Sequence, residues 1–289
     1  MPKKITRRSF MKKIFTSFLT VTGISAGGYY YAHEIEPRFV ETKKMVIQHS
    51  KIPSAFDGFK MIQFNDTHLG FQYNLTQLKK ITKQINALEP DIILFNGDLM
   101  DAPNQFKNPA NIIPILQELK APFGKFAIYG NHDHGGYGSN LYKDIMTKSG
   151  FTLLRNQAKK IELLGNSSIY IVGIDDAMLG KPDLDKAFQN VPKEAYKILL
   201  SHAPDLADQS YPFGAELQLS GHSHGGQIKI PFLGALVTSP YGEKYIEGLF
   251  TIGKKNPLTL YVNRGLGTTR LPFRFLSRPE LTVITLAKK

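Results

Sequence analysis

Short apolar runs alternate with polar loops and with stretches of helical periodicity along most of the chain. The run at 60–65 is followed by apolar residues at the spacing of one helix face, namely Leu75, Leu78, Ile81, Ile85 and Leu88. Apolar runs at 91–95 and 126–129 also lead directly into polar loops, and a second helix is expected at 140–148. This order of strand, loop and helix predicts an α/β fold.

The second half of the chain is richer in predicted strands, at 151–154, 160–164, 169–174, 198–200 and 217–219. Two of these strands run into polar loops, which begin at Ser201 and at Gly221. Strand-like pieces follow at 258–262 and 281–286. The sequence shows neither a repeat of fixed period nor a second domain boundary.

The N-terminus has the order of a targeting segment. Residues 1–13 are basic, and residues 14–32 contain no Lys, Arg, Asp or Glu. Residues 6–12, Thr-Arg-Arg-Ser-Phe-Met-Lys, resemble the twin-arginine export signal. The alternative is the basic flank of a membrane anchor, although the apolar segment is marginal in length for a span of about 20 residues.

We therefore expect a signal peptide or N-terminal membrane anchor at 1–32, a linker at 33–44 and one folded domain at 45–289. Export implies the twin-arginine translocase as a partner, and a final location outside the cytoplasm, anchored to the membrane or associated with the cell wall.

Composition narrows the chemistry. The formal net charge is +12, and half of it comes from the basic leader. The remaining positive charge suits an anionic substrate, an acidic surface or a phosphate-rich wall. Nucleic acid is not expected, since no basic stretch is interleaved with aromatic residues. The chain has no Cys, which excludes disulfides, thiolate metal sites and Cys nucleophiles.

Five of the polar loops carry residue types that commonly bind metals. Loops that follow the strands of an open α/β sheet converge beyond the carboxyl ends of those strands. Together they supply Asp66, His68, Asp98, Asn131, His202, His222 and His224. Oxygen and imidazole ligands suit manganese, iron or zinc, and we expect manganese first. Two divalent ions are implied, because a single ion could not use so many ligands and keep an open position.

The ordered motifs Asp66-x-His68, Gly97-Asp98, Gly130-Asn-His-Asp133, His202 and Gly221-His-Ser-His224 resemble the calcineurin-like metallophosphoesterase superfamily. The size and the leader are similar to its small bacterial branch exported by the twin-arginine route. The resemblance implies a four-layer α-β-β-α sandwich of two mixed sheets flanked by helices.

The same resemblance implies a role for each site residue. One ion is expected on Asp66, His68 and His224, and the other on Asn131, His202 and His222. Asp98 would bridge the two ions, and a hydroxide between them would attack phosphorus. His132 would protonate the departing oxygen, with its imidazole held by Asp101.

The expected activity is metal-dependent hydrolysis of phosphate esters, with phosphodiester or pyrophosphate bonds favoured over monoesters. Candidate substrates are wall polymers, lipid-linked phosphates and nucleotides. Ala102 stands where related protein phosphatases carry an Arg, which argues against phosphoprotein substrates. The alternative is a surface protein that binds anionic wall polymer or lipid headgroups and uses the metals structurally.

Other polar residues leave two interpretations open. Asp133, His134, Asp175 and Asp176 either line the pocket and orient ligand imidazoles or are solvated. Arg264, Arg270, Arg274 and Arg278 either hold a substrate phosphate or form a solvated basic face.

Overall fold

A computed structural model describes residues 7–289 of the protein. One sheet has six strands, in the spatial order Glu41–His49 (β1), Glu280–Lys288 (β14), Lys60–Phe64 (β2), Ile92–Phe95 (β3), Lys125–Ala127 (β4) and Phe151–Leu153 (β5). All neighbours are parallel except β14 and β2, so the sheet is mixed.

The other six-stranded sheet is also mixed. Its order is Gly248–Ile252 (β12), Leu258–Val262 (β13), Leu217–Ser220 (β9), Tyr196–Leu200 (β8), Ser168–Gly173 (β7) and Gln157–Glu162 (β6). The inner strands are parallel, and the two edge strands β12 and β6 are antiparallel to their neighbours. Lys229–Ile230 (β10) and Gly234–Ala235 (β11) form a separate small hairpin.

The α-helices are Arg7–Tyr30 (α1), Leu75–Ala87 (α2), Ile112–Gln117 (α3), Asn131–His134 (α4), Ser139–Lys148 (α5), Leu184–Phe188 (α6) and Ala207–Ser210 (α7). A capping box begins α2, since Asn74 and Gln77 each accept the other's main-chain N–H at 3.0 Å. The predicted helices near 75–88 and 140–148 are therefore present.

Alternation along the strands builds the layers. Met61 and Leu94 face the apolar core between the two sheets, while their neighbours Ile62 and Ile93 face α2, α3 and α5. A third apolar cluster lies on the outer face of the second sheet, beneath α6 and α7. The predicted arrangement of two mixed sheets flanked by helices is confirmed.

Residues 33–44, which were expected to form a linker, have mostly regular secondary structure. A π-helical turn (Tyr31–Ile35) and a 3-10 turn (Glu36–Arg38) are followed by β1, which pairs with β14 along its whole length. The carboxylate of buried Glu36 accepts the N–H of Ser277 at 2.6 Å. The segment is packed against the domain. The strand was not predicted because β1 begins with polar residues, as strands at a sheet edge often do.

The predicted leader is described only in part. Its first six residues, which include Thr6 of the twin-arginine motif, lie outside the described residues, and Arg7 begins α1. Between residues 7 and 289, no helix combines the length and the apolar character needed to cross a membrane.

Candidate metal centre

The five predicted loops meet at the carboxyl ends of β2, β3, β4, β8 and β9. Main-chain hydrogen bonds join them: the N–H of Asp66 donates to Gly97 at 2.9 Å, and the N–H of Gly221 donates to His202 at 3.1 Å. The first bond links two loops of one sheet, and the second links two loops of the other. The topology therefore brings the ligand residues of both sheets to one edge of the sandwich.

The ligand loops have an unusual backbone. Five of the predicted ligands have φ between 43° and 68°, namely Asp66, His68, Asp98, His222 and His224. Side chains other than Gly rarely adopt this left-handed region, and such strain concentrates at functional sites.

The first ligand group consists of Asp66, His68 and His224, all buried. Oδ1 of Asp66 lies 3.7 Å from Nε2 of His68 and 3.6 Å from Nε2 of His224. The two Nε2 atoms are 3.1 Å apart. Three potential ligand atoms therefore face one small space.

The second ligand group consists of Asp98, His202 and His222. Oδ2 of Asp98 lies 3.2 Å from Nε2 of His202, which is 3.1 Å from Nδ1 of His222. The same Oδ2 is 3.6 Å from Nε2 of His68, so the carboxylate of Asp98 lies between the two groups. Asn131 begins α4 directly after the β4 loop.

Contacts outside the centre fix how the imidazoles face it. Nδ1 of His202 donates to the carbonyl of Asn96 at 2.7 Å, and Nε2 of His222 donates to the carbonyl of Pro240 at 2.8 Å. A carbonyl only accepts, so in each neutral ring the other nitrogen presents its lone pair to the centre. His222 therefore faces inward with Nδ1, unlike His202.

The donor set fits two divalent ions. Within residues 7–289, the buried atoms Oδ1 of Asp66 and Oδ1 of Asn131 have no hydrogen-bond partner. Buried polar atoms without partners are rare in native proteins, and a cation would satisfy these two. The combination of carboxylate, amide and imidazole suits manganese, iron or zinc.

The charged groups shift one another's pKa values. Burial lowers the pKa of His68, but the nearby carboxylates of Asp101 and Asp66 outweigh it and raise that pKa to about 9. Burial raises the pKa of Asp98, but the positive charge of His202 and His132 holds it well below its usual range. Asp98 is therefore ionised at neutral pH and available as a ligand.

Asp101 contacts the imidazole of His132 through its main chain, while its carboxylate lies nearer to His68. Its carboxylate lies 3.1 Å from Nδ1 of His68 but 3.8 Å from Nδ1 of His132. His132 instead donates from Nδ1 to the main-chain carbonyl of Asp101 at 2.6 Å. The reason is local, because the N–H of Asp101 donates to Leu69 and keeps this loop beside His68. Thr269 donates its hydroxyl to the same carboxylate at 2.8 Å.

Asp133 supports the main chain of the site rather than a ligand imidazole. Its buried carboxylate accepts the N–H groups of Asp98 and Gly130 at 2.8 Å and of Leu99 at 3.0 Å. Burial and the negative charge of Asp98 raise its pKa to about 7. Its position in the first turn of α4 is the sequence signal that points to this role.

Two of the late arginines are not free to bind phosphate. Arg274 is fully buried, and its guanidinium donates to the carbonyls of Arg264 and Ser277 at 2.8 Å. Arg264 forms ion pairs with Glu41 and Glu280 at 2.7 Å. Arg274 also lies 3.3 Å from Nδ1 of His224, so it braces the back of the first ligand group.

Of the other polar candidates, His134 and Asp175 contact each other rather than a ligand. Nε2 of His134 lies 2.8 Å from a carboxylate oxygen of Asp175, which also pairs with Arg155. Asp176 is buried and accepts the N–H groups of Met178 and Leu179.

Comparisons with known proteins identify the family of the chain. Residues 59–226, which contain all seven predicted ligands, match the calcineurin-like phosphoesterase family. The chain is 46% identical over 284 residues to the uncharacterized metallophosphoesterase YkuE of Bacillus subtilis, with 98% of each chain covered.

Two more distant relatives carry functional names. UDP-2,3-diacylglucosamine pyrophosphatase LpxG of Chlamydia trachomatis is 28% identical over 324 residues, which cover 94% of this chain and 96% of LpxG. Phosphodiesterase YaeI of Escherichia coli is 29% identical over 289 residues, which cover 98% of this chain and 99% of YaeI. The chain belongs to the calcineurin-like metallophosphoesterase family.

Proposed function

We propose that the protein hydrolyses phosphodiester or pyrophosphate bonds with two divalent metal ions. Manganese is the first candidate for these ions. The observation that carries this proposal is the position of Asp98, whose carboxylate lies between the two ligand groups. Divalent ions held by these two groups would supply an activated water and charge neutralisation at a phosphoryl group.

Residues of the chain would hold the ions and supply a proton to the leaving group. Asp66, His68 and His224 would hold one ion, Asn131, His202 and His222 the other, and Asp98 both. His132 is the proton donor: Nδ1 keeps its proton on the carbonyl of Asp101, so the ring in its doubly protonated form gives the proton on Nε2 to the departing oxygen. About a quarter of its side chain is exposed, so a substrate can reach it.

The preference for diesters or pyrophosphates has two supports. The related proteins LpxG and YaeI are named as a pyrophosphatase and a phosphodiesterase. Both bonds have a second substituent on phosphorus, and the site has Ala102 rather than an Arg that would bind a free phosphate dianion.

A substrate comparison tests this proposal. The full chain is stripped of metal and assayed on bis-p-nitrophenyl phosphate and p-nitrophenyl phosphate with manganese, zinc, iron, nickel or magnesium restored separately. We expect metal-dependent turnover with the diester faster. Turnover of neither ester with any metal would favour the alternative of a surface protein that binds anionic polymer or headgroups.

Export by the twin-arginine route is part of the proposal. It rests on Arg7-Arg8 and on the uncharged run at 14–32. Replacing both arginines by lysine keeps the charge, so a simple electrostatic flank would still work. We expect this variant to remain in the cytoplasmic fraction, and equal export of both forms would rule out the route.

A further inference from the structure

An exposed apolar surface lies close to the metal centre. Residues 229–237, which we call the apolar hairpin, comprise β10, β11, the turn between them and the two residues that follow β11. Phe232 is fully exposed at the turn, Leu233 is 79% exposed, and Leu236 and Val237 are more than half exposed. Adjacent exposed side chains of this kind mark a contact with an apolar partner.

An apolar cavity connects this hairpin to the site. It has a volume of about 160 Å³ and is lined by His224, Ile228, Leu236, Val237 and Leu271. His224 belongs to the first ligand group, so an apolar chain in the cavity would end beside the ions. Arg270 also lines the cavity and is exposed, which places a positive charge at its rim.

The hairpin and the leader helix attach to the same loop. The N–H of Lys229 donates to the carbonyl of Phe275 at 2.9 Å, which fixes the hairpin base. The preceding residue, Arg274, donates its N–H to Ala32 at 2.9 Å, and the ring of Tyr31 packs against Phe275. The end of the leader therefore lies beside the hairpin.

The leader carries exposed apolar and basic groups of its own. In α1 the exposed apolar side chains include Phe10, Met11 and Phe15, and the exposed basic ones are Arg7, Arg8, Lys12 and Lys13. The basic side chains near one end of α1 would be attracted to the negative surface of an anionic membrane.

We propose that the apolar hairpin inserts into an anionic lipid bilayer and that the cavity beside His224 receives the apolar chain of a lipid-carried phosphoester. The substrate class rests on the proposed function. The chemistry is complementary, because Phe232 and Leu233 enter the acyl region while Arg270 and the leader face phosphate headgroups.

Insertion can be measured by tryptophan fluorescence, since the chain contains no Trp and a single introduced Trp gives the whole signal. Phe232→Trp places one reporter at the hairpin tip. Leu164→Trp is the matched control, because Leu164 is 95% exposed on the turn between β6 and β7. Both full-length variants are mixed with vesicles of phosphatidylcholine and phosphatidylglycerol, with and without brominated acyl chains.

The expected result is a shift to shorter emission wavelength and quenching by brominated lipid for Phe232→Trp alone. An unchanged Phe232→Trp spectrum while the chain sediments with the vesicles would mean that the leader binds by itself, and would overturn the proposal. An unchanged spectrum is also the result expected if the natural partner of the hairpin is a protein and not a lipid bilayer, which would equally overturn the proposal.

A second measurement tests the substrate class. The probe is the p-nitrophenyl phosphodiester of diacylglycerol in the same vesicles, compared with soluble bis-p-nitrophenyl phosphate. The double variant Phe232→Ser and Leu233→Ser should lower turnover of the vesicle probe at least about fivefold by reducing its local concentration, and leave the soluble diester unchanged.

Equal loss on both substrates, or no loss on the vesicle probe, would overturn the assignment of substrate class. Absence of turnover with both substrates in the unaltered chain would instead refute the proposed function. In that case the tryptophan measurement would still decide whether the hairpin docks on lipid.

Discussion

The carboxylate of Asp101 lies 3.1 Å from Nδ1 of His68, and the hydroxyl of Thr269 holds it there. Nδ1 of His68 therefore lies beside a carboxylate, while His202 and His222 donate to main-chain carbonyls. A carboxylate partner raises the basicity of an imidazole ligand, so Asp101 strengthens the first ligand group.

Loss of this contact should weaken metal binding. We expect Asp101→Ala to lower the manganese affinity of one ion about 10–100-fold, the usual cost of removing a partner of a ligand imidazole. Calorimetric titration of the metal-free chain measures it. Asp144→Asn is the control, since Asp144 only pairs with Lys148 on the exposed face of α5. An unchanged affinity would show that Asp101 has no part in holding the metal.

His132 should matter most for poor leaving groups. His132→Ala is expected to reduce kcat about 10²–10⁴-fold on esters of basic alcohols, because the departing oxygen loses its proton donor. The loss should be smaller for p-nitrophenyl esters, and bound metal should be unchanged. A series of phosphodiesters with alcohols of graded pKa measures this, and a uniform loss would argue against proton donation.

Gly130 leaves room for the central carboxylate. A Cβ at this position would collide with Oδ1 of Asp98 and lie 2.8 Å from its Cγ. The φ of Gly130 is −104°, which Ala can adopt, but the new Cβ would also lie 2.8 Å from the main-chain nitrogen of Asp98, so both the carboxylate and its loop must shift. Gly130→Ala should lower both metal content and turnover while the circular dichroism spectrum stays the same. Gly135→Ala, whose Cβ meets nothing within 4 Å, should behave like the unaltered chain.

The buried guanidinium of Arg274 should stabilise the fold. Burial lowers its pKa to about 9, and its hydrogen bonds satisfy carbonyls of three neighbouring residues: Arg264, Gly267 and Ser277. Arg274→Met would leave these acceptors buried without donors, which should reduce the free energy of unfolding by about 2–4 kcal/mol. Urea unfolding measures it against Arg270→Met, an exposed control expected to change little. Similar stability of the two variants would contradict this role.

The sequence predicts most of the centre because its ligands follow buried strands. Asp66, Asp98 and His202 each lie two or three residues after the end of a buried strand, and parallel strands bring such positions to one edge. The contacts of Asp101 and Arg274 could not be predicted in this way. Both depend on loops that are distant along the chain, and neither the carboxylate nor the guanidinium shows its burial in a local pattern.

The strand β1 and the apolar hairpin also could not be predicted from the sequence. The first four residues of β1, Glu41-Thr-Lys-Lys44, are polar because the strand lies at the edge of a sheet, where charge prevents unwanted pairing. The apolar hairpin has only two residues in each strand, too few for a period to be recognised.

The most direct test of the central claim is turnover of bis-p-nitrophenyl phosphate as a function of manganese bound per chain, with metal content measured on the same samples. Two ions held around Asp98 predict that activity saturates at two ions per chain, and that Asp98→Asn stays inactive at any metal concentration. Full activity with one ion per chain or none, or an active Asp98→Asn variant, would contradict the two-metal centre.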